Sequence, residues 1–526
     1  MRPLTPATKF LTATAIASLF ALTGCGSSNG FTLAHPTGHY TDASLKGSYV
    51  YQMRGTSLVT GFPYRQAGVF TADGAGHITG GVDDFAGESA SGSSTTLSGS
   101  FSGSYNVNSD GSGSIFIGPT ILGNLSGSSG NQVGFAIALV SSSKVQLMEG
   151  DAFAVGTGTA ELQDPAAIAA VPSGTFVFRV HQEITAAAGQ APASQVGGIT
   201  IASGSGTGAV DQNVGGGMAS VNVTWTLGAP DPLGTGTATM NASSGSTPFI
   251  YYIVSSGKFD LLTSNPSAVG GGSAEAQTGA VGGGLSGSYA FGSRGDDGNF
   301  TSGLYGTVGT VGVFTASGSS ITGTQDSNQD GTLSSSAAFP GTCSTPGSSN
   351  GVSGRVVVTN GSGSPCSGST TEVFWMVSPS RAFFLDEFGG TFTDGTADLQ
   401  TTSSFASSTM KGQFALVMDG WDFTGVNAFP PVPPQLLARV GTLQFDGSSK
   451  LVLSELANGS ASGGGAANPG TLGGPYSVSP SGRISGTVSN GGGGFDMVMY
   501  AVSGSQVYSL QNDSGMVTTG TVELQQ

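Results

Sequence analysis

Charge is scarce in this chain of 526 residues: Asp, Glu, Lys and Arg make up 9%, and Lys plus Arg number only 15. A formal charge of −16 with so few basic side chains leaves no clustered phosphate-binding surface, which argues against a nucleic-acid partner. The acids form no tail or block, so the negative charge reads as a solubility device. Histidine is limited to four residues. Two of them, His35 and His39, flank Pro36 and Gly38, which break any helix that could align both rings on one metal. Beyond the leader, long apolar runs are missing, since no segment reaches the roughly 18 residues of a membrane-spanning helix.

Glycine is abundant instead, at 90 residues, with 37% apolar residues and a mean hydropathy of +0.10. A disordered chain combines low hydrophobicity with high charge, whereas here short β-rich apolar runs alternate with Gly/Ser punctuation. No segment has a convincing helical period, and each interior Gly would cost a helix about 1 kcal/mol. The composition predicts many short strands and tight turns.

Four copies of one phrase divide the chain. It reads Gly158-Thr-Ala-Glu161-Leu-Gln163 first, and recurs with Glu275 and Gln277, with Asp398 and Gln400, and with Glu523 and Gln525. A matching opening phrase carries apolar residues at alternate positions: Tyr49 and Tyr51, Phe176 and Phe178, Tyr289 and Phe291, Phe414 and Leu416. Start and stop signals about 115 to 125 residues apart mark a domain array. The modules are predicted at 45–163, 172–277, 285–400 and 410–525, joined by short linkers. In module one, eight apolar runs are separated by Gly-containing turns such as Asp73-Gly74-Ala75-Gly76. Eight sequential antiparallel strands lose their exposed edges when the eighth pairs with the first. The expected fold is therefore all-β, four up-and-down barrels, with a β-sandwich as the alternative. The strand count and closure resemble the calycin group of lipocalins and avidins in shape only, because their ligand-binding signatures are not matched here. Such a barrel can be filled by side chains or can hold one small ligand.

The first residues form a leader. Arg2 and Lys9 precede an apolar to weakly polar run from Phe10 to Leu22, as in a secretory signal. Leu22-Thr23-Gly24-Cys25 follows and resembles the lipobox of bacterial lipoproteins. That resemblance implies cleavage before Cys25, a diacylglyceryl group on its sulfur, and residues 26–44 as a tether to the first module. Acyl chains hold a soluble body at a membrane, each buried methylene adding about 0.8 kcal/mol. Gly26 stands where an inner-membrane retention Asp would sit, which favours the outer membrane or the cell surface. In such an oxidising compartment the remaining cysteines, Cys343 and Cys366, are expected to form a disulfide.

Several constellations carry candidate chemistry. The recurrent acids Glu161, Glu275, Asp398 and Glu523 could line four equivalent sites, but they are expected to be structural, accepting hydrogen bonds across the seam between strands eight and one. Gly347-Ser348-Ser349-Asn350-Gly351 fits a nucleophile-elbow pattern by chance in so Gly/Ser-rich a chain, without the strand–turn–helix context. Asp326 to Gly331 resembles the first half of an EF-hand loop, but Ala337 stands where the closing bidentate Glu belongs. Trp421 and the proline run Phe429 to Pro434 could form a recognition surface, although packing over the barrel mouth is expected. The runs Phe135 to Val140, Phe249 to Val254, Val373 to Val377 and Met497 to Val502 lack alternation, so they are buried on both faces, against the core and a neighbouring module or ligand. Acids without a recurrent base do not suit acid–base catalysis. The sequence thus implies a lipid-anchored envelope protein, binding or structural rather than enzymatic. It calls for no cofactor or metal, and its partner could be a glycan, matrix or protein. The rival is a small-ligand carrier or enzyme that uses barrel cavities.

Overall fold

The computed structural model describes residues 39–88, 94–118, 133–184, 192–214, 217–265, 268–301, 304–360, 370–386, 391–424, 434–460, 465–467, 470–491 and 493–526. Four closed barrels follow one another, each of eight strands in sequential order. In module one the strands are Lys46–Ser57, Pro63–Asp73, His77–Glu88, Ser94–Val107, Ser112–Gly118, Val133–Ser141, Lys144–Glu149 and Ala154–Leu162. Strand eight closes on strand one in the same register throughout, with Val50 opposite Glu161, Val177 opposite Glu275, Ala290 opposite Asp398 and Ala415 opposite Glu523. The barrel reading, closure included, is what the structure has, and the sandwich alternative falls away.

Alternation along each strand sorts side chains between the core and the outside. In Gly217–Leu227, for example, Val223, Trp225 and Leu227 are buried, whereas Thr224 and Thr226 are exposed. The barrel interiors are filled. In module one Tyr51 sits among Phe70, Phe101 and Phe135, with ring centroids 6.0, 6.5 and 6.4 Å away. In module three Phe291 meets Phe314, Phe339 and Phe384 at 5.8, 5.3 and 5.8 Å. These tilted and edge-on contacts suit the ring quadrupoles.

Much of the glycine has a packing reason. The inward residue of each opening phrase lies opposite a Gly on strand two: Tyr51 with Gly68, Phe178 with Gly197, Phe291 with Gly312, Leu416 with Gly441. A Cβ on Gly312 would lie 2.5 Å from the Phe291 ring and 2.7 Å from the Thr324 carbonyl oxygen. Small and large residues are thus paired across neighbouring strands so that eight strands can close on a full core. At one end the turns between strands six and seven are tight, with Ser141, Ser255, Ser378 and Ser503 each accepting from the backbone N–H two residues on.

Gly312→Ala is expected to destabilise the protein by about 1–3 kcal/mol through overpacking. Gly282→Ala, where an added Cβ meets nothing within 4 Å, should leave stability nearly unchanged. Urea unfolding midpoints of the two variants check this.

Candidate functional site: the channel between the barrels

The four barrels form a ring. The sixth strands, predicted to be buried on both faces, point alternate residues inward to their own core and outward to the preceding module. Ala136, Ala138 and Val140 pack on Ala415, Ala438 and Val440 of module four. Tyr252 and Val254 pack on Val50 and Val69 of module one. Trp375 and Val377 meet Val177 and Val196 of module two, and Tyr500 and Val502 meet Ala290, Val311 and Val313 of module three. The outer face of strands one and two in one module therefore covers strand six of the next, and module four covers module one in the same way. A head-to-tail contact of this kind gives a closed ring when the rotation per unit closes.

The closing phrases supply the clasps. Gln163 Nε2 donates to the carbonyls of Leu233 and Ile253 in module two, at 2.9 and 2.7 Å. Gln277 does so to Ser353 and Met376, Gln400 to Ser481 and Ala501, and Gln525 to Asp110 and Leu139 of module one at 3.0 and 2.7 Å. The recurrent acids also reach the next module, whereas the sequence reading placed their bonds across the closure seam of their own. Lys258 Nζ donates to Glu161 at 2.6 Å, Arg381 pairs with Glu275 at 2.9 Å, Tyr508 Oη donates to Asp398 at 2.6 Å, and Lys144 Nζ donates to Glu523 at 2.8 Å. The reason lies in the pleat: the residues flanking each acid point into the barrel, so the acid itself points outward, where the neighbour packs.

Because strands one and eight of every module face the axis, the four closure seams enclose a central channel of about 790 Å³, lined by residues from all four modules. Its charges form two layers. Near the serine turns lie the acids just described with Lys144, Lys258 and Arg381. Burial raises the Asp260 carboxyl to about 7 in this layer, against Lys258 and with the help of Glu161 and Glu275. Burial pushes the Glu161 carboxyl up, but Lys258, Lys144 and Arg381 together outweigh it and hold the pKa below the usual carboxylate range.

The second layer comes from a position the sequence reading passed over. Arg54, His181, Arg294 and Asp419 occupy the same place in the four opening strands, five residues after Tyr49, Phe176, Tyr289 and Phe414. Arg54 lies 3.6 Å from Asp419, and Arg294 binds the same carboxylate oxygen. His181 Nδ1 lies 3.1 Å from both Ser194 Oγ and Asp394, and its Nε2 lies 3.3 Å from Asp296. Burial lowers the His181 pKa, but the bonds to Asp296 and Asp394 outweigh it and raise the pKa to about 9. Asp394 is correspondingly held down to about 2, burial notwithstanding. An imidazolium fixed between two carboxylates has no lone pair to act as a base at neutral pH. A shared titratable position in a chain so poor in charge was the available signal.

Other predicted features land as follows. Asp326 accepts from Arg483 Nε and Nη2 at 2.8 and 2.7 Å and from Tyr500 Oη at 2.6 Å, so a guanidinium of the next module occupies the side where a cation would bind. Asn328 caps carbonyls of module four, including Asp513 at 3.3 Å. Ser348 and Ser349 close a strand and Asn350 begins a strand-to-strand turn at φ 48°, so the elbow pattern has no helix after it. Trp421 lies in the strand Lys411–Asp422 and lines the channel end rather than a loop. Cys25, the proline run and the Cys343–Cys366 pairing lie outside the described residues and side chains.

Fold and site together define a single-chain ring of four eight-stranded barrels around a charged channel. Neither a family model nor a curated protein matches the chain. Among solved structures it is similar to isotype 1 transferrin-binding protein B from serogroup B Neisseria meningitidis, at 7% identity and a TM-score of 0.19, covering 72% of this chain and 83% of that one. It is also similar to intact Ap-TbpB with its N and C lobes, at 11% identity and a TM-score of 0.16, covering 74% and 85%. At such TM-scores the whole chains do not superpose, and the ligand in those names stays with those proteins.

Two outcomes follow from the ring. Gln525→Ala removes a clasp between modules far apart in sequence, so hydrogen exchange in Val133–Ser141 should accelerate. Gln163→Ala, where a short linker keeps its two modules at high effective concentration, should change exchange much less. The raised His181 pKa stabilises the folded state in full below its ordinary value of about 6.5, and that stabilisation fades as pH rises through about 9. His181→Gln should therefore cost roughly 2–4 kcal/mol at pH 6 and much less at pH 10, as thermal unfolding at the two pH values would reveal.

Proposed function

We propose that this is an exported envelope protein, held by lipid on Cys25 at the outer membrane or cell surface, whose rigid ring acts as a non-catalytic binding or structural body. The observation that carries this reading is the filled barrel. A carrier of barrel-held ligands needs a hollow interior, and here Tyr51, Trp225, Phe291 and Phe414 stand in the packed cores. The cavities of about 110 and 790 Å³ both lie between barrels. Among the described residues the large exposed apolar side chains are Val59, Phe116 and Leu162, scattered over a polar surface that suits a body standing in water.

Anchoring also sets an orientation. The tether enters beside Tyr40, whose hydroxyl donates to Gln526 at 2.8 Å and Val140 at 3.2 Å, at the end with the serine turns. Strands one, three, five and seven end at the opposite pole, away from the lipid, while the turn Ser142–Ser143 lies at the near end. Surface connections on a rigid scaffold are where binding residues accumulate, and a glycan, matrix or protein partner would be met there.

Envelope fractionation tests the proposal. The native protein should sediment with membranes and carry acyl mass on Cys25, and Cys25→Ser should move it to the soluble fraction with its strand content unchanged. A native protein that is soluble with a free thiol at Cys25 would overturn the anchoring. A small molecule retained inside a barrel in native mass spectra would favour the carrier instead.

A further inference from the structure

In the serine-turn layer acids outnumber bases, with Lys144, Lys258 and Arg381 facing Glu161, Glu275, Asp398 and Glu523, but at the far end of the channel the balance is reversed. Arg54 of module one and Arg294 of module three approach from opposite sides of the axis and share one carboxylate, Asp419 of module four. Arg65 stands directly across the strand pair from Arg54 and adds a third guanidinium to the same wall. Like charges placed opposite each other on neighbouring strands destabilise a sheet. Burial and the Arg294 charge both push the Arg54 pKa down, against the pull of Asp419. The other acids at this end, Asp296 and Asp394, are taken up by His181, and Asp394 also pairs with Arg179 of module two at 3.5 Å. Of the 15 Lys and Arg in the chain, seven line the channel, and three of those, Arg54, Arg65 and Arg294, border this end.

These guanidiniums border a cavity of about 110 Å³ that shares Arg54, Arg65, His181, Arg294 and Asp419 with the lining of the larger channel and is also walled by Tyr64 and Trp421. The side chains of Arg54 and Arg294 are 36% and 28% exposed to it, whereas Asp419 is 10% exposed. Each guanidinium has five N–H donors in a planar fork. One carboxylate cannot accept from all the donors of two forks, and the geometry that uses the rest is bidentate pairing with a second oxyanion.

We propose that the Arg54–Arg294–Arg65 wall of the channel is a binding site for a small oxyanion, a phosphate or carboxylate group, either free or as the anionic end of a larger molecule lying along the channel. The proposal does not depend on lipid attachment or on a partner at the outer loops. Four modules are needed to build the site, since the two forks and the shared carboxylate come from three of them and His181 from the fourth. This gives ring closure a consequence for binding: a chain opened between modules four and one draws Arg54 away from Arg294, and the site loses one of its two forks.

Isothermal titration calorimetry of the detergent-purified full-length protein at pH 7 and low ionic strength tests this, with inorganic phosphate and with succinate as separate probes. Saturable binding of at least one is expected, and the preferred probe tells phosphate from carboxylate chemistry. Arg54→Gln and Arg294→Gln should each weaken it by about tenfold or more, the loss of charge-assisted hydrogen bonds. Exposed Lys450→Gln should not change it. Asp419→Asn removes the competing carboxylate and should tighten binding, an effect that loss of folding cannot imitate. Absence of saturable heat with both probes, or affinities unchanged in all three channel variants, would overturn the proposal.

Discussion

Every larger feature of this molecule depends on one contact: the outer face of strand six of each module, covered by strands one and two of the module before it. A strand that is apolar on both faces cannot be left half in water, so a barrel of this sequence does not make a finished surface by itself. Burial at about 25 cal/mol per Å² of apolar area drives the modules together, and the Gln clasps set the angle at which they meet. Because the contact is head-to-tail and repeated, its geometry either closes or leaves one sticky edge at each end. Four modules close it, with Gln525 reaching Asp110 and Leu139 as Gln163 reaches its own partners.

Closure explains where the few charges are placed. Strands one and eight, the seam that seals each barrel, are turned to the axis, and their outward residues meet those of the neighbour in a confined space. Charges that are partly buried must be paired, and among the described residues the pairs run between modules more often than within them. Arg355 of module three meets Asp211 of module two at 2.6 Å, and Arg483 of module four meets Asp326 of module three at 2.7 Å. Breaking a buried pair is costly because it leaves an unmatched charge, so these contacts fix which faces can meet. At the far end of the axis, where two arginines share one acid, the same crowding leaves donors over.

Much of this could be read in advance, and the limits have physical causes. The eight-strand count came from Gly-punctuated apolar runs, and closure from the co-occurrence of opening and closing phrases, because strand pairing is visible in period-two patterning. The double burial of strand six was legible in runs such as Phe249 to Val254 and Val373 to Val377, which lack the apolar–polar alternation of a strand with a solvent face. The direction of Glu161 and its counterparts was misjudged: a single strand indicates which residues share a face, but not what lies opposite that face. The shared position of Arg54, His181, Arg294 and Asp419 is legible once the modules are aligned on their opening phrases, but their meeting around one axis is not, because it depends on how four barrels pack.

The sequence by itself determined the all-β class, the barrel closure and the apolar stripe that asks for a partner, since all of these rest on local periodicity and short-range turn chemistry. Only the tertiary structure decided that the partner is the neighbouring module, that the fourth module meets the first, and that Arg54, His181, Arg294 and Asp419 stand around one axis. Those contacts join residues hundreds of positions apart. Their geometry depends on the rotation from one barrel to the next, a quantity that no single strand encodes and that is fixed only when all four faces pack at once.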